Sequence, residues 1–170
     1  MSGICGIINL DNRPVPRQSV ETLLAHLTYR GPDAQDIWLD GNVGFGHTLL
    51  RTTWESAGEQ QPCTLDGQVY ITAQARIDDR ATLIPRLQAQ GCLVSASDPD
   101  VNLILHAYQL WGETCLESLL GDFVFALWDR RHRKLFCARD RFGLRVIYYA
   151  RLGNTLVFSN SLNCVRAIQE

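Results

Sequence analysis

The stretch Gly3-Ile4-Cys5-Gly6-Ile7-Ile8-Asn9-Leu10 stands almost at the start of the chain and constrains the fold more than any other segment. It is nearly all apolar with small residues between, which fits a strand buried on both faces. Chain ends normally fray, so a buried strand here requires the terminus to be tied down inside the structure.

Beyond this strand the chain alternates helix and sheet. After Pro14 and Pro16, the residues Val20, Leu23, Leu24 and Leu27 recur at helical spacing and predict an amphipathic helix that ends before Arg30-Gly31-Pro32-Asp33. Strands at Ile37–Leu39 and Val43–Leu50 flank the turn residues Asp40-Gly41-Asn42, and another at Gln68–Thr72 follows Asp66-Gly67. Asp79 is placed to cap a helix carrying Leu83, Ile84 and Leu87, and Asp98-Pro99-Asp100 to start one with Val101, Ile104, Leu105 and Tyr108 on one face. The pattern then returns to β at Phe123–Asp129, Leu135–Arg139, Val146–Arg151 and Thr155–Ser159, a predicted meander. Sheets separated by helical pairs place the chain in the α+β class. Its 170 residues, 46% of them hydrophobic, suit one domain over residues 1–170.

Charge and cysteine usage remove several function classes. A net charge of −2 and a pI of about 6.1 offer no basic face to nucleic acid or anionic lipid. No apolar run approaches the roughly 20 residues of a membrane span, and no basic leader precedes the first strand, so a cytoplasmic protein is expected. The six cysteines are far apart with no C-x-x-C, and the four histidines do not cluster with carboxylates, so no metal site is predicted. His47 reads as a hydrogen-bonded core histidine. Trp111, Trp128, Tyr148 and Tyr149 read as core residues with no exposed aromatic platform, and Asp122, Arg139 and Asp140 as a structural charge network.

Four motifs carry a resemblance that covers essentially the whole chain. They are Met1-Ser2-Gly3-Ile4-Cys5-Gly6-Ile7, Arg30-Gly31-Pro32-Asp33, Gly46-His47 with Gln61-Pro62, and Gly121-Asp122-Phe123-Val124-Phe125-Ala126-Leu127-Trp128-Asp129 with Ala138-Arg139-Asp140-Arg141-Phe142-Gly143. In this order they resemble the class II glutamine amidotransferase domain of asparagine synthetases. The resemblance implies the four-layer αββα sandwich of N-terminal nucleophile hydrolases, whose opening strand is held rigidly.

It also implies a chemistry. In that family a Cys exposed by Met removal attacks the glutamine side-chain amide while its own α-amine serves as base, an amine of pKa near ~8. Ser2 holds that position here and is the candidate nucleophile, whereas Cys5 lies deeper in the strand. The family's oxyanion hole is an Asn side chain and the next Gly N–H, in an Asn-Gly-Glu triplet after a strand; the aligned residues are Gln74, Ala75 and Arg76. The Glu of that triplet helps bind the α-ammonium of glutamine, so Arg76 reverses the charge. At about 5 Å and an effective dielectric of about 20, two like charges repel by about 3 kcal/mol.

Asp98 matches the family's second carboxylate for that ammonium and also fits a helix N-cap; an ion pair with Arg76 is expected. Leu49 stands where the family has the Arg for the α-carboxylate, and Arg51 is the nearest substitute. Arg30, Gly31, Pro32 and Asp33 form a loop that borders the family's active site, although turn chemistry alone also explains them.

These residues allow two main readings. One is a non-catalytic or weakly active relic that packs against an ATP-dependent amide-forming synthetase domain, in cis or in trans. The other is an active glutaminase releasing ammonia from L-glutamine with Ser2 as nucleophile. A third has Arg76 and Arg51 holding an anionic amide substrate. No cofactor is expected in this domain, because ATP and Mg belong to the synthetase domain, which is expected downstream and missing from this chain. A face left uncovered by that domain also suits a homodimer.

Overall fold

The computed structural model describes residues 1–168. Strand β1 spans Gly3–Asn9 and is buried on both faces, as its composition predicts. It lies at the centre of a five-stranded antiparallel sheet between β3 (Val43–Leu49) and β9 (Thr155–Ser159), with β2 (Ala34–Asp40) and β8 (Tyr148–Leu152) at the edges. The second sheet runs β4 (Cys63–Thr64), β5 (Val69–Ile77), β6 (Gly121–Asp129) and β7 (Lys134–Arg139), all antiparallel.

Strand alternation sorts the side chains into layers. Cys5 and Ile7 of β1 point outward to Val20, Leu23 and Leu24 of helix α1 (Arg17–Ala25). Ile8, Phe45 and Phe158 point inward to Ala126 and Trp128 of the second sheet. The far face of that sheet packs Ile71, Phe123 and Phe125 against α2 (Arg80–Ala89) and α3 (Asp100–Trp111). A short helix α4 (Leu162–Arg166) joins α1 on the first sheet. The layers are therefore helix, sheet, sheet, helix, the expected αββα sandwich.

Glycine makes the double burial of β1 possible. A Cβ on Gly6 would run into the rings of Phe158 and Phe45, which meet edge to face at 5.4 Å over that spot. The small residues in the opening motif are therefore packing requirements of the inter-sheet layer.

Several expectations need correction. Strand β5 runs on to Ile77, so Gln74, Ala75 and Arg76 lie inside a strand and not after one. Tyr148 and Tyr149 do not fill the core: β8 has a neighbour on one side only, and Tyr149 is 75% exposed. Phe142, at 81%, and Leu144 are exposed as well, so aromatic side chains stand at the surface where none were expected. Trp128 is buried and Trp111 packs against the core as anticipated.

Candidate active site

The site forms at one end of the sandwich, where the start of β1, the end of β3, the middle of β5 and the residue after β9 converge. The inter-sheet residues of β5 meet the first sheet one after another. Tyr70 stacks on Trp38 with ring centroids 4.0 Å apart, Thr72 Oγ1 lies 3.1 Å from His47 Nδ1, and Gln74 Oε1 lies 2.9 Å from Asn160 Nδ2. Beyond Gln74 the sandwich opens into a cavity of about 220 Å³ that Ser2, Gln74, Ala75 and Arg76 line.

Asn160 organises this end, and no motif pointed to it. Its Oδ1 accepts the Ile4 N–H at 3.1 Å, which fixes the amide orientation, so its Nδ2 donates to the Ser2 carbonyl at 3.0 Å and to Gln74 Oε1. With its oxygen engaged, Gln74 presents its NH₂ group to the cavity. Replacing Asn160 by Asp keeps the bond from Ile4 but removes both donations and faces a buried carboxylate with two carbonyl oxygens. We expect Asn160→Asp to lower stability by about 2 kcal/mol in urea denaturation at pH 7; an unchanged midpoint would remove Asn160 from this role.

The Ala75 N–H also faces the cavity. In an antiparallel strand, alternate residues aim both backbone groups to the same side. Ala73 turns its N–H and C=O away from β6 to the Gln61 side chain, at 2.6 and 3.0 Å, and Ile77 donates to Asp100 Oδ2 at 3.0 Å. Ala75 sits between them in phase. It keeps a negative φ, since among the described non-glycine residues only Asn12 and Arg133 have a positive one. Gln74 Nε2 and Ala75 N–H are thus two donors on one cavity wall.

Ser2 is buried and its Oγ accepts the Leu50 N–H at 3.1 Å. Met1 precedes it in the cavity lining, its ammonium 3.5 Å from the Arg30 carbonyl. Burial, then the charges of Arg30 and Arg145, push that amine below its ordinary pKa. Cys5 lies elsewhere: fully buried beneath α1, it has its thiol pushed up by desolvation and bonded to the Gly46 carbonyl at 3.7 Å.

The residues expected to hold an amino-acid head are placed differently. Asp98 forms no pair with Arg76; its carboxylate accepts the Ser95 N–H at 2.9 Å and the Ser95 hydroxyl at 3.2 Å in the turn before α3. Asp100 lines the cavity in its stead, with one oxygen on Arg80 and the other on the Ile77 N–H. Burial nevertheless pushes its carboxyl up. Arg76 is neutralised by Asp78 at 2.9 Å and Asp122 at 3.4 Å, so Asp122 belongs to the cavity and not only to the framework.

Arg51 stands past the end of β3, where strand alternation no longer sets its direction. Its guanidinium turns to the carbonyls of Asp33 and Glu59, both at 3.4 Å. Leu49 is buried aliphatic core. Arg145 is the cavity guanidinium that periodicity could not reveal, because it comes from the loop between β7 and β8.

The loop Arg30-Gly31-Pro32-Asp33 serves the framework. Asp33 Oδ2 accepts the Arg51 N–H at 2.7 Å, and its own N–H donates to the Leu49 carbonyl at 3.0 Å. Arg30 does not cap α1; it lies over the Tyr29 ring and bonds its hydroxyl. Among the described residues no group of three or more His, Cys, Asp or Glu could hold a metal ion, and no helix is long and apolar enough to cross a membrane.

Comparison with known proteins accounts for this arrangement. The glutamine amidotransferase domain family matches residues 1–169. The chain is 32% identical over 98% of its length to the glutamine-hydrolyzing asparagine synthetase 3 of Bacillus subtilis, of which it spans 28%. It is 26% identical over its full length to a putative glutamine-hydrolyzing asparagine synthetase 2 of Methanocaldococcus jannaschii, spanning 36% of it. It is also 28% identical over 96% of its length to the amidase chry2 of Gibberella zeae, spanning 26%. The chain therefore spans about a quarter to a third of these relatives. Among solved structures, the glutamine phosphoribosylpyrophosphate amidotransferase of B. subtilis, complexed with ADP and GMP, has the same fold: the TM-score is 0.78 at 17% identity, covering 97% of this chain and 43% of that one. With the family matched from end to end and its sandwich reproduced, the chain belongs to the glutamine amidotransferase domain family, in the company of asparagine synthetases.

Proposed function

We propose that this domain is the amidotransferase-type part of an ATP-dependent amide-forming synthetase, and that it acts there as a docking domain with glutamine hydrolysis lost or reduced to a trace. The observation that carries this reading is that both aspartates lining the cavity are drawn into pairs with arginine and not left to the α-ammonium of glutamine. Asp100 is divided between Arg80 and the Ile77 N–H, and Asp122 is held between Arg76 and Arg145; Glu59, the third acid of the lining, accepts one hydrogen bond from Gln61. Asp98 bonds the Ser95 turn instead, and Arg76, paired with Asp78 and Asp122, offers that cation no attraction.

Docking is supported by exposed apolar side chains, among them Leu120 and Phe142 of one groove and Leu144 and Tyr149, which a synthetase domain in cis or in trans would cover. A second copy of the chain is the other occupant that these side chains suit. Asparagine is the product named for the synthetase relatives, and ATP and Mg would be bound by the synthetase part. Six free cysteines among the described residues suit the reducing cytoplasm.

A second reading keeps activity, and one observation favours it: Ser2 Oγ, the Gln74 amide and the Ala75 N–H share a cavity. With Met1 present the Ser2 nitrogen is a peptide amide and cannot act as base, so this route requires Met1 to be removed. Incubation with L-glutamine, following glutamate release and intact mass for the wild type, Ser2→Ala and Ser2→Cys, separates the two. We expect no protein to exceed Ser2→Ala. Turnover in the wild type that vanishes in Ser2→Ala would establish a serine-type glutaminase and overturn the docking reading.

A further inference from the structure

One guanidinium that lines the cavity is held in place by its loop and only partly satisfied. Asp140 is buried, and it fixes the loop that carries Arg145 by accepting the Leu144 and Arg145 N–H groups, each at 3.0 Å. Asp122 stands 3.7 Å from Arg145 Nη2. Yet Arg145 Nε is buried without a hydrogen-bond partner among the described residues, and Nη1 reaches only the thioether sulfur of Met1, a weak acceptor. Buried donors in native folds are satisfied, and a guanidinium whose Nε and Nη1 lack a strong acceptor remains a charged donor for a carboxylate. Neither Arg76 nor Arg51 has this freedom: Arg76 is engaged by Asp78 and Asp122, and Arg51 by two backbone carbonyls.

The cavity thus combines donors for an amide oxygen at Gln74 and Ala75, a partly unsatisfied guanidinium for a carboxylate at Arg145, and two aspartates already paired with arginine. We propose that it binds a small carboxylate bearing a terminal amide and no α-ammonium, with Arg145 as the residue that selects the carboxylate. This rests on the reading above, in which free glutamine is not the ligand. At about 220 Å³ the cavity falls below the ~300–1,000 Å³ of sites for drug-sized ligands, which limits the occupant to a small metabolite. The Met1 side chain, while present, sits on Arg145 where that carboxylate would go.

The test is titration calorimetry on the purified protein, with Met1 removed by methionine aminopeptidase and the mass checked. Three probes are compared: glutaramate, which is glutamine without its amino group; L-glutamine; and glutaramide, which lacks the carboxylate. We expect glutaramate to bind at least about tenfold more tightly than either, a difference of about 1.4 kcal/mol. Arg145→Ala should abolish the preference for glutaramate over glutaramide and Arg145→Lys should reduce it, with the loss falling on the carboxylate probe, whereas general loosening of the fold would weaken both probes alike. Protein retaining Met1 should bind glutaramate more weakly. Equal binding of glutaramate and glutaramide, an unchanged preference in Arg145→Ala, or no binding of any probe would overturn this inference and leave the docking reading standing. Tighter binding of L-glutamine than of glutaramate would overturn both.

Discussion

His47 alone is expected to cost the protein about 5 kcal/mol of stability between pH 6.5 and pH 3. His47 is buried between the sheets, and desolvation pushes its pKa down from 6.5 to about 3. Thr72 Oγ1 is placed to donate to the Gly46 carbonyl at 3.4 Å and accept from His47 Nδ1, so the ring is neutral with its proton on Nδ1. The buried Nε2, without a partner among the described residues, is then an acceptor lone pair, which is less costly to leave bare than a charge.

The sign comes from proton counting. Below pH 6.5 the unfolded chain binds a proton that the folded protein refuses until about pH 3, so the unfolded state gains protons and stability falls with pH across that window. Over the two units from pH 6.5 to 4.5 the loss is about 2.7 kcal/mol. Urea denaturation of the wild type and His47→Gln at pH 7 and 4.5 isolates the effect, because the carboxylates contribute equally to both proteins. The wild type should lose about 3 kcal/mol more than the variant over that interval. Parallel losses in the two would mean that His47 is hydrated or charged in the folded state.

Gly31→Ala is the second large effect, and we expect it to remove at least about 3 kcal/mol. A Cβ at position 31 would overlap the backbone of Thr48 and Leu49, which belong to a central strand and cannot give way as a side-chain tip can. Against a typical total of about 5–15 kcal/mol, much of the protein's stability would go. Gly58→Ala is the control: its Cβ would meet nothing within 4 Å, and we expect a change within about 0.5 kcal/mol. Both are read from urea midpoints at constant slope. Equal midpoints for the two variants would mean that Gly31 is kept for ligand chemistry alone. The expected outcome makes the loop a support for the site, since its neighbour Arg30 carries the carbonyl near the chain's first nitrogen.

The fold was legible wherever burial imposes a period on the sequence. Apolar β1 with its small residues, the turn at Gly41, the face of α3 and the final strands all appear close to where the pattern predicts them. His47 could be assigned to the core from its apolar strand, and Ser2, which lines the cavity, stood out only through the resemblance that its motif carries. The outward position of Tyr148 and Tyr149 could not be read, because an edge strand of the same composition is buried or exposed according to what covers it.

What the sequence determined by itself is the order of helices and strands and the buried character of β1, because strand and helix periods are local properties of the chain. What only the tertiary structure decided is which charges reach the cavity. Asp100 enters and Asp98 does not, because Arg80 and the Ile77 N–H, both distant in sequence, draw the Asp100 carboxylate across. Arg145 enters and Arg51 does not, because Asp140 anchors one loop while the other lies past the last residue of β3. Asn160 orients Gln74 from 86 residues away. Outside regular elements a side chain's direction is set by its long-range partners, and no local period records them.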